Sequence, residues 1–259
     1  MRGLTGKTVL VTGAGSGIGA ACVRRLLAEG ARVAAADLDL RAAEAVLAEC
    51  QAGGAGFAMA VDVAAPSDAA AFAAAAQDRL GRLHGLINCA GIKGVGNVLD
   101  VETEGWRQVM AVNVEGTVNM CQAFARIALE DVDGGDGPTR SIVNISSGAG
   151  LMGVPNRLSY VASKFAVSGI TRTMCVELAR HRIRVNAIAP GMTRTPFTAY
   201  MFQDPENVKR IQAAHPIGRE ADPSEIAAAI IFLLTEDASF ITGAVIPVDG
   251  GSTACIPAH

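Results

Sequence analysis

A doubly wound α/β domain is the fold that this 259-residue sequence predicts, with a parallel sheet of about seven strands and helices on both faces. Three observations lead there. Short β-rich runs alternate with helical stretches from the first residues onward, the pattern of strand–helix–strand units with parallel strands. The runs are apolar throughout rather than alternating, as strands covered on both faces must be. The first run also flows into a glycine-rich turn, TGAGSGIG, that opens a helix.

The elements follow in order. KTVLVTG is a buried strand and Gly17 to Glu29 a helix. ARVAAAD is the second strand, and a helix covers Leu40 to Cys50. GFAMAVD is the third strand. SDAAAFAAAAQDRLG is a helix, because alanine is the best helix former and the charges fall near its ends. HGLINCAG is the fourth strand, and a long helix spans Trp106 to Leu129. EDVDGGDGPTR has the polar, glycine-rich composition of a surface loop. SIVNISS is the fifth strand. A helix carrying Tyr160 runs to Arg180, and RIRVNAIAP is the sixth strand. Residues 191–216 are irregular with short helical pieces. DPSEIAAAIIFLL opens with Asp222 before Pro223, and Glu225 lies three residues after the cap, a helix-start signature. A last strand lies near GAVIPVDGG. No linker or internal repeat interrupts the series, so one domain covers residues 1–259.

Composition narrows the function classes. Half of the residues are hydrophobic, ample for a large core, and the scarcity of aromatics means a core of small aliphatic side chains. A net charge of −3 offers no reason to expect nucleic acid or an anionic membrane as partner. The basic cluster ARHRIRVNA reads as a helix end running into a strand. The six cysteines are scattered, without metal-ligand spacing, so no metal is expected. They read as reduced thiols of a cytoplasmic protein. No signal peptide and no run of membrane-span length is seen.

The glycine turn has the strand–turn–helix context of a dinucleotide-binding, Rossmann-type fold. Gly13, Gly17 and Gly19 permit a tight turn, close backbone approach to a pyrophosphate and close helix–strand packing. The helix start offers unpaired amides and the positive end of a dipole, so Gly13, Ser16, Gly17, Ile18 and Gly19 are candidate cofactor contacts. Asp37 ends the second strand, where an acid accepts hydrogen bonds from the adenosine ribose and repels a 2′-phosphate. Neither Ser16 nor Leu38 supplies a cation to hold such a phosphate. The cofactor expected is therefore NAD rather than NADP.

Tyr160 and Lys164 carry the chemistry. The chain has only two tyrosines and four lysines, yet one of each sits four apart in SYVASKFAV. On a helix that spacing puts both on one face. A free tyrosine, with a pKa of about 10, is no base near neutrality, but a nearby cation favours the phenolate and lowers that value.

These residues resemble the short-chain dehydrogenase/reductase family over the whole chain. The matching motifs are TGAGSGIG, Asp62–Val63, Asn88-Cys89-Ala90-Gly91, Asn113 in MAVNVEGT, NISS ending at Ser147, Tyr160-x-x-x-Lys164, and PGMTRT from Pro190 to Thr195. The resemblance implies that Tyr160 is the general acid/base and that Ser147 hydrogen-bonds the same substrate oxygen. It implies that Lys164 lowers the tyrosine pKa and holds the nicotinamide ribose, and that Asn113 anchors a water relaying protons to solvent. It adds Asp62, Val63, Asn88, Ala90, Gly91, Pro190, Gly191, Thr193 and Thr195 to the cofactor contacts. It also implies a homotetramer built through the two long helices, with Ala166, Val167, Ile170 and Met174 available to pack across a two-fold axis. Two departures stand out. Cys89 replaces a usual asparagine, and Thr193 stands where Ile or Val is usual, though neither removes a reactive group.

The substrate pocket should lie outside the carboxyl ends of the strands, walled by residues 92–98, 148–157 and 192–214. Val95, Met152, Val154, Phe197, Met201 and Phe202 are apolar candidates; Lys93, Asn156 and Arg157 are polar ones. An apolar secondary alcohol or ketone fits, and the loops are most similar to those of family members acting on cyclic ketones and diketones. An aliphatic 3-hydroxyacyl or 3-oxoacyl substrate stays open. So do an NADPH-using reductase of oxoacyl thioesters, against which Asp37 argues, and a catalytically silent NAD-binding sensor or scaffold, against which the retained Ser147, Tyr160 and Lys164 argue.

Overall fold

Residues 3–130 and 140–254 are described by a computed structural model of the chain. Seven strands, β1 (Thr8–Thr12), β2 (Arg32–Asp37), β3 (Gly56–Ala60), β4 (Leu83–Asn88), β5 (Arg140–Ile145), β6 (Ile183–Pro190) and β7 (Val245–Val248), form one sheet. Their order is β3-β2-β1-β4-β5-β6-β7 and every pairing is parallel. The chain order reverses between β1 and β4, which opens a crevice above the carboxyl ends of those strands.

The two-residue alternation of each strand feeds two cores. On one face Val9, Val11, Val33, Ile87 and Val143 pack under α1 (Gly17–Ala28), α2 (Leu40–Glu49) and α8 (Pro223–Leu234). On the other, Leu10, Ala34, Leu86, Ile142 and Val185 meet α3 (Pro66–Leu80), α5 (Gly116–Glu130) and the end of α6 (Leu158–Leu178). The alanines of β2 are all buried, so small side chains let the helices close onto the sheet from both sides. The predicted start of α8 is present: Asp222 caps it and Glu225 returns to the cap amide.

The long helix expected over Trp106–Leu129 begins earlier and is interrupted. α4 spans Thr103–Met110, a single π turn covers Ala111–Glu115, and α5 follows. The cause is Asn113, whose side chain is pinned to the β4–α4 connection. Its Oδ1 accepts from the Ile92 amide at 2.8 Å and its Nδ2 donates to the Ile92 carbonyl at 3.0 Å. π turns of this kind recur at functional sites. The helix carrying Tyr160 stops at Leu178, ahead of Arg180, and passes through a 3-10 turn to Arg182 in the left-handed region. The irregular stretch contains a 3-10 turn, Ala199–Phe202, and a helix α7, Pro205–Ala213. Most of the segment EDVDGGDGPTR, and Cys255, lie outside the described residues.

Candidate active site

The crevice is a cleft of about 660 Å³ that runs from the glycine turn to α6 and the segment before α7. At one end, Gly13 and Gly17 have positive φ values of 63° and 52°. A Cβ on Gly13 would meet the Ala90 backbone at 2.9 Å, and one on Gly19 would land on the Gly13 carbonyl. Only glycine allows this curl. Ser16 precedes α1 without capping it, which leaves the first amides of the helix for a ligand. The Asp37 carboxylate faces the same space. Its Oδ2 accepts from the Gly15 amide at 2.8 Å and its Oδ1 from the Asp39 amide at 3.0 Å, so each oxygen keeps a free lone pair. This glycine cradle and its adjoining carboxylate suit the phosphates and ribose of a dinucleotide.

Ser16, Ile18, Asp62, Val63, Ala90, Gly91, Pro190, Gly191, Thr193 and Thr195 line the cleft as well. Asn119 steadies the Asp62–Val63 corner by donating to the Val63 carbonyl at 3.0 Å. The Thr195 side chain reaches across towards Gly17, where a Cβ would sit 3.2 Å from it. Thr198, which the motifs did not single out, ties this segment together. Its hydroxyl donates to the Thr193 carbonyl at 2.6 Å and accepts from the Thr195 amide at 3.1 Å.

Three expected contacts lie elsewhere. Gly19 is buried behind the turn, and its role is the close packing just described. Asn88 is buried beneath the cleft and points into the sheet, donating to Asn144 at 2.9 Å and to the Cys121 sulfur. The parallel pleat sends it to the face opposite its neighbours, so it braces β4 against β5 and touches no cofactor space. Asn113 is also buried off the cleft, with its carbonyl accepting from Thr117 and its remaining amide proton on Ser163 at 3.0 Å. Its side chain joins Ile92 to α6, and its Oδ1, which accepts only from the Ile92 amide among the described residues, keeps a second lone pair.

At the other end, Ser147, Tyr160 and Lys164 converge. β5 delivers Ser147 at its carboxyl end, where the hydroxyl accepts from the Ala149 amide at 3.1 Å and favours the ionised form of the nearby Tyr160. Tyr160 and Lys164 lie one turn apart on α6. The Lys164 ammonium is 5.6 Å from the centre of the Tyr160 ring and donates to the Ile145 carbonyl at 2.8 Å. The Phe197 ring packs against Tyr160 with centroids 6.2 Å apart.

The electrostatics correct one expectation. On balance the protein's surroundings do not lower the Tyr160 pKa. Burial pushes it above its usual value of 10, outweighing the Ser147 hydroxyl and the Arg157 charge, which pull it down. Burial also pulls Lys164 down from 10.5 to about 8. Cys89 beside it is pushed up to about 12, so its thiol gives the ammonium no thiolate partner at neutral pH.

A stability effect follows. Between pH 8 and 10.5 the unfolded chain still holds a proton that folded Lys164 has released. Stability therefore rises with pH across that window, and the full burial cost applies below it. Lys164→Met is expected to stabilise the cofactor-free protein at pH 7 by about 1–2 kcal/mol, once the lost Ile145 hydrogen bond is set against the relieved burial. Thermal melts should show a higher Tm together with loss of turnover; a lower Tm would contradict the assignment of Lys164 as a buried, uncompensated cation.

The apolar wall is narrower than the sequence suggested. Met152, Val154, Phe197 and Met201 line the cleft, with Lys93 and Arg157. Val95 is turned to solvent at 67% exposure. Phe202 is half-buried under the Arg194 guanidinium, 4.2 Å from its ring centre, and does not line the cleft, and Asn156 forms a left-handed corner in the backbone. Tyr200 and His215 were missed. His215 is buried; its Nε2 accepts from the Met192 amide at 3.1 Å and its Nδ1 lies 2.6 Å from the Ile211 carbonyl. It thus fastens α7 to the segment after Gly191. The histidine directly before Pro216 was its only sequence signal.

A family profile described as "Enoyl-(Acyl carrier protein) reductase" matches residues 13–253. The chain belongs to the short-chain dehydrogenase/reductase family. Within it, the chain is 41% identical over 256 residues to a 2,5-dichloro-2,5-cyclohexadiene-1,4-diol dehydrogenase of Sphingobium indicum, covering 98% of this chain and 100% of that one. It is 40% identical to a cyclohexanol dehydrogenase of Acinetobacter sp., covering 96% and 95%. Among solved structures, a 3-ketoacyl-(acyl-carrier-protein) reductase from Brucella melitensis complexed with NADH superposes with a TM-score of 0.88 at 32% identity, covering 97% of this chain and all of that one. Membership of the short-chain dehydrogenase/reductase family makes the protein an oxidoreductase with a nicotinamide cofactor.

Proposed function

We propose that the protein interconverts a cyclic, largely apolar secondary alcohol and its ketone using NAD(H). The observation that carries this reading is the convergence of Ser147, Tyr160 and Lys164 on one cleft whose nearby walls are Met152, Val154, Phe197 and Met201. The relatives that act on cyclic alcohols support it.

Gly13, Ser16, Gly17 and Ile18 would hold the cofactor phosphates, Asp37 the adenosine ribose, and Asp62–Val63 the adenine edge. Ala90, Gly91 and the segment Pro190–Thr195 would hold the nicotinamide half. When bound, the nicotinamide gives or accepts the hydride and, oxidised, adds a positive charge to the site. Tyr160 gives its phenolic proton to the ketone oxygen in reduction and takes the hydroxyl proton in oxidation. Ser147 hydrogen-bonds that oxygen and orients it. Lys164 holds the nicotinamide ribose and stabilises the phenolate. Because Tyr160 rests as the neutral phenol, alcohol oxidation should accelerate with rising pH.

A panel of secondary alcohols scored by NADH absorbance tests the substrate class. Cyclohexanols should show higher kcat/KM than linear alcohols and 3-hydroxyacyl thioesters; a preference for the thioesters would overturn the cyclic assignment.

We also propose a homotetramer. Val167 is buried within its own subunit and so does not reach across an axis, while Met174 is half-buried on its own core. The outward face of α6 instead presents Phe165 and Val176, 47% and 77% exposed. A monomer by light scattering at micromolar concentration would contradict this. A cytoplasmic setting is supported by the five described cysteines, all free thiols; disulfides found by thiol titration of the native protein would argue against it.

A further inference from the structure

The backbone after Gly191 hangs from three supports. The Gly191 amide donates to the Val248 carbonyl at 3.1 Å. The Met192 carbonyl accepts from the Ala221 amide at 2.9 Å, and the Arg194 amide donates to the Ala221 carbonyl at 2.9 Å. The third support is a side chain: the Met192 amide donates to Nε2 of His215 at 3.1 Å. Next to it, the Thr193 amide meets no protein acceptor among the described residues, although Thr193 is buried and lines the cleft. Buried donors are rarely left unpaired, which marks this amide as one kept for a ligand.

His215 can give that support in only one tautomer. An amide is a donor, so Nε2 must present a lone pair. A carbonyl is an acceptor, so Nδ1, 2.6 Å from the Ile211 carbonyl, must carry the proton. The Ile211 carbonyl takes a side-chain donor because α7 ends here: the His215 amide turns back to the Gln212 carbonyl at 3.2 Å. The ring is 8% exposed, and the His215 carbonyl is itself held by the Gly218 amide at 2.7 Å. The turn before α7 supplies Tyr200 and Met201 to the cleft, and Asn207 of α7 donates to the Met201 carbonyl at 2.6 Å. One imidazole thus joins the cofactor segment to the substrate wall.

We propose that His215 is a positioning residue. Its Nε2 sets the Met192–Thr193 backbone to receive the nicotinamide, and its Nδ1–H fixes α7 and the substrate wall to the same point. This rests on the NAD(H) reading above. The competing account is structural: His215 only closes the end of α7, and its loss is felt without regard to which half of the cofactor is bound.

Two amide substitutions separate the two ring nitrogens. Glutamine carries its polar atoms at the reach of Nε2, so His215→Gln keeps an acceptor for Met192 and gives up the Ile211 bond. Asparagine carries them at the reach of Nδ1, so His215→Asn does the reverse. Binding of NADH and of ADP-ribose, which has every part of the cofactor except the nicotinamide, is measured by calorimetry for each protein. His215→Asn should weaken NADH by about tenfold, the order of one net hydrogen bond, and leave ADP-ribose unchanged. His215→Gln should leave both unchanged. A helix-end role gives the opposite order, with His215→Gln the weaker binder, or lowers NADH and ADP-ribose together; either result overturns the proposal, as does unchanged NADH affinity in His215→Asn. Hydrogen exchange on the unmodified protein needs no variant. NADH, but not ADP-ribose, should slow exchange in residues 192–195 and in residues 205–215 together; slowing of the first segment alone overturns the coupling through His215. All these outcomes leave the oxidoreductase reading intact, whereas failure of the unmodified protein to bind NADH would overturn that reading and this inference with it.

Discussion

Tyr160→Phe is expected to lower kcat at least a hundredfold while NADH still binds. The phenol supplies the only proton that the proposed reaction needs from the protein, and general acid/base groups are worth 10²-fold or more. The ring itself would remain, so its contact with Phe197 and its place on α6 would be kept. Ser147 cannot substitute, since an unactivated serine hydroxyl is a far weaker acid. Steady-state turnover and a cofactor fluorescence titration on the same preparation separate the two effects. Retention of more than about a tenth of the turnover would remove Tyr160 from the role.

NAD(H) is expected to bind at least a hundredfold more tightly than NADP(H), about 2.7 kcal/mol. The Asp37 carboxylate is clamped by the Gly15 and Asp39 amides, so it cannot swing away from an incoming 2′-phosphate. A charge-assisted hydrogen bond to the ribose is worth about 1.5–3 kcal/mol, and repulsion of a phosphate adds to the difference. Leu38, 71% exposed, offers no counter-charge. Asp37→Ala should narrow the gap by weakening NAD. Asp37→Ala with Leu38→Arg should move the preference towards NADP, because arginine can pair with the phosphate through two donors. Equal affinities in the unmodified protein, measured by NADH and NADPH fluorescence, would contradict the role given to Asp37.

The residues show why some of this was legible in the sequence and some was not. Strands buried on both faces leave unbroken apolar runs, so all seven could be read, and the glycine curl could be read because no other residue tolerates it. The π turn was invisible: Asn113 breaks the helix through partners at Ile92 and Ser163, far away in sequence. Asn88 was misplaced because its motif gives the position in the chain but not the face of the pleat. Phe202 was misplaced because residues 191–216 have no period from which a side-chain direction could be inferred. The Tyr160–Lys164 spacing announced proximity, and proximity held. The sign of the shift depended on burial, which spacing does not carry. His215 escaped because a buried histidine serving two backbone groups has no motif.

The most direct test of the central claim follows the hydride itself. The protein is incubated with NAD and cyclohexanol carrying deuterium on the carbinol carbon, and cofactor and ketone are analysed by mass spectrometry. The account predicts one deuterium in the reduced cofactor for every cyclohexanone formed, the hydroxyl proton having left through Tyr160. A protein that binds NAD, as judged by fluorescence, but transfers no deuterium from this or any ring alcohol of the panel would be a silent binder, and the account would be wrong.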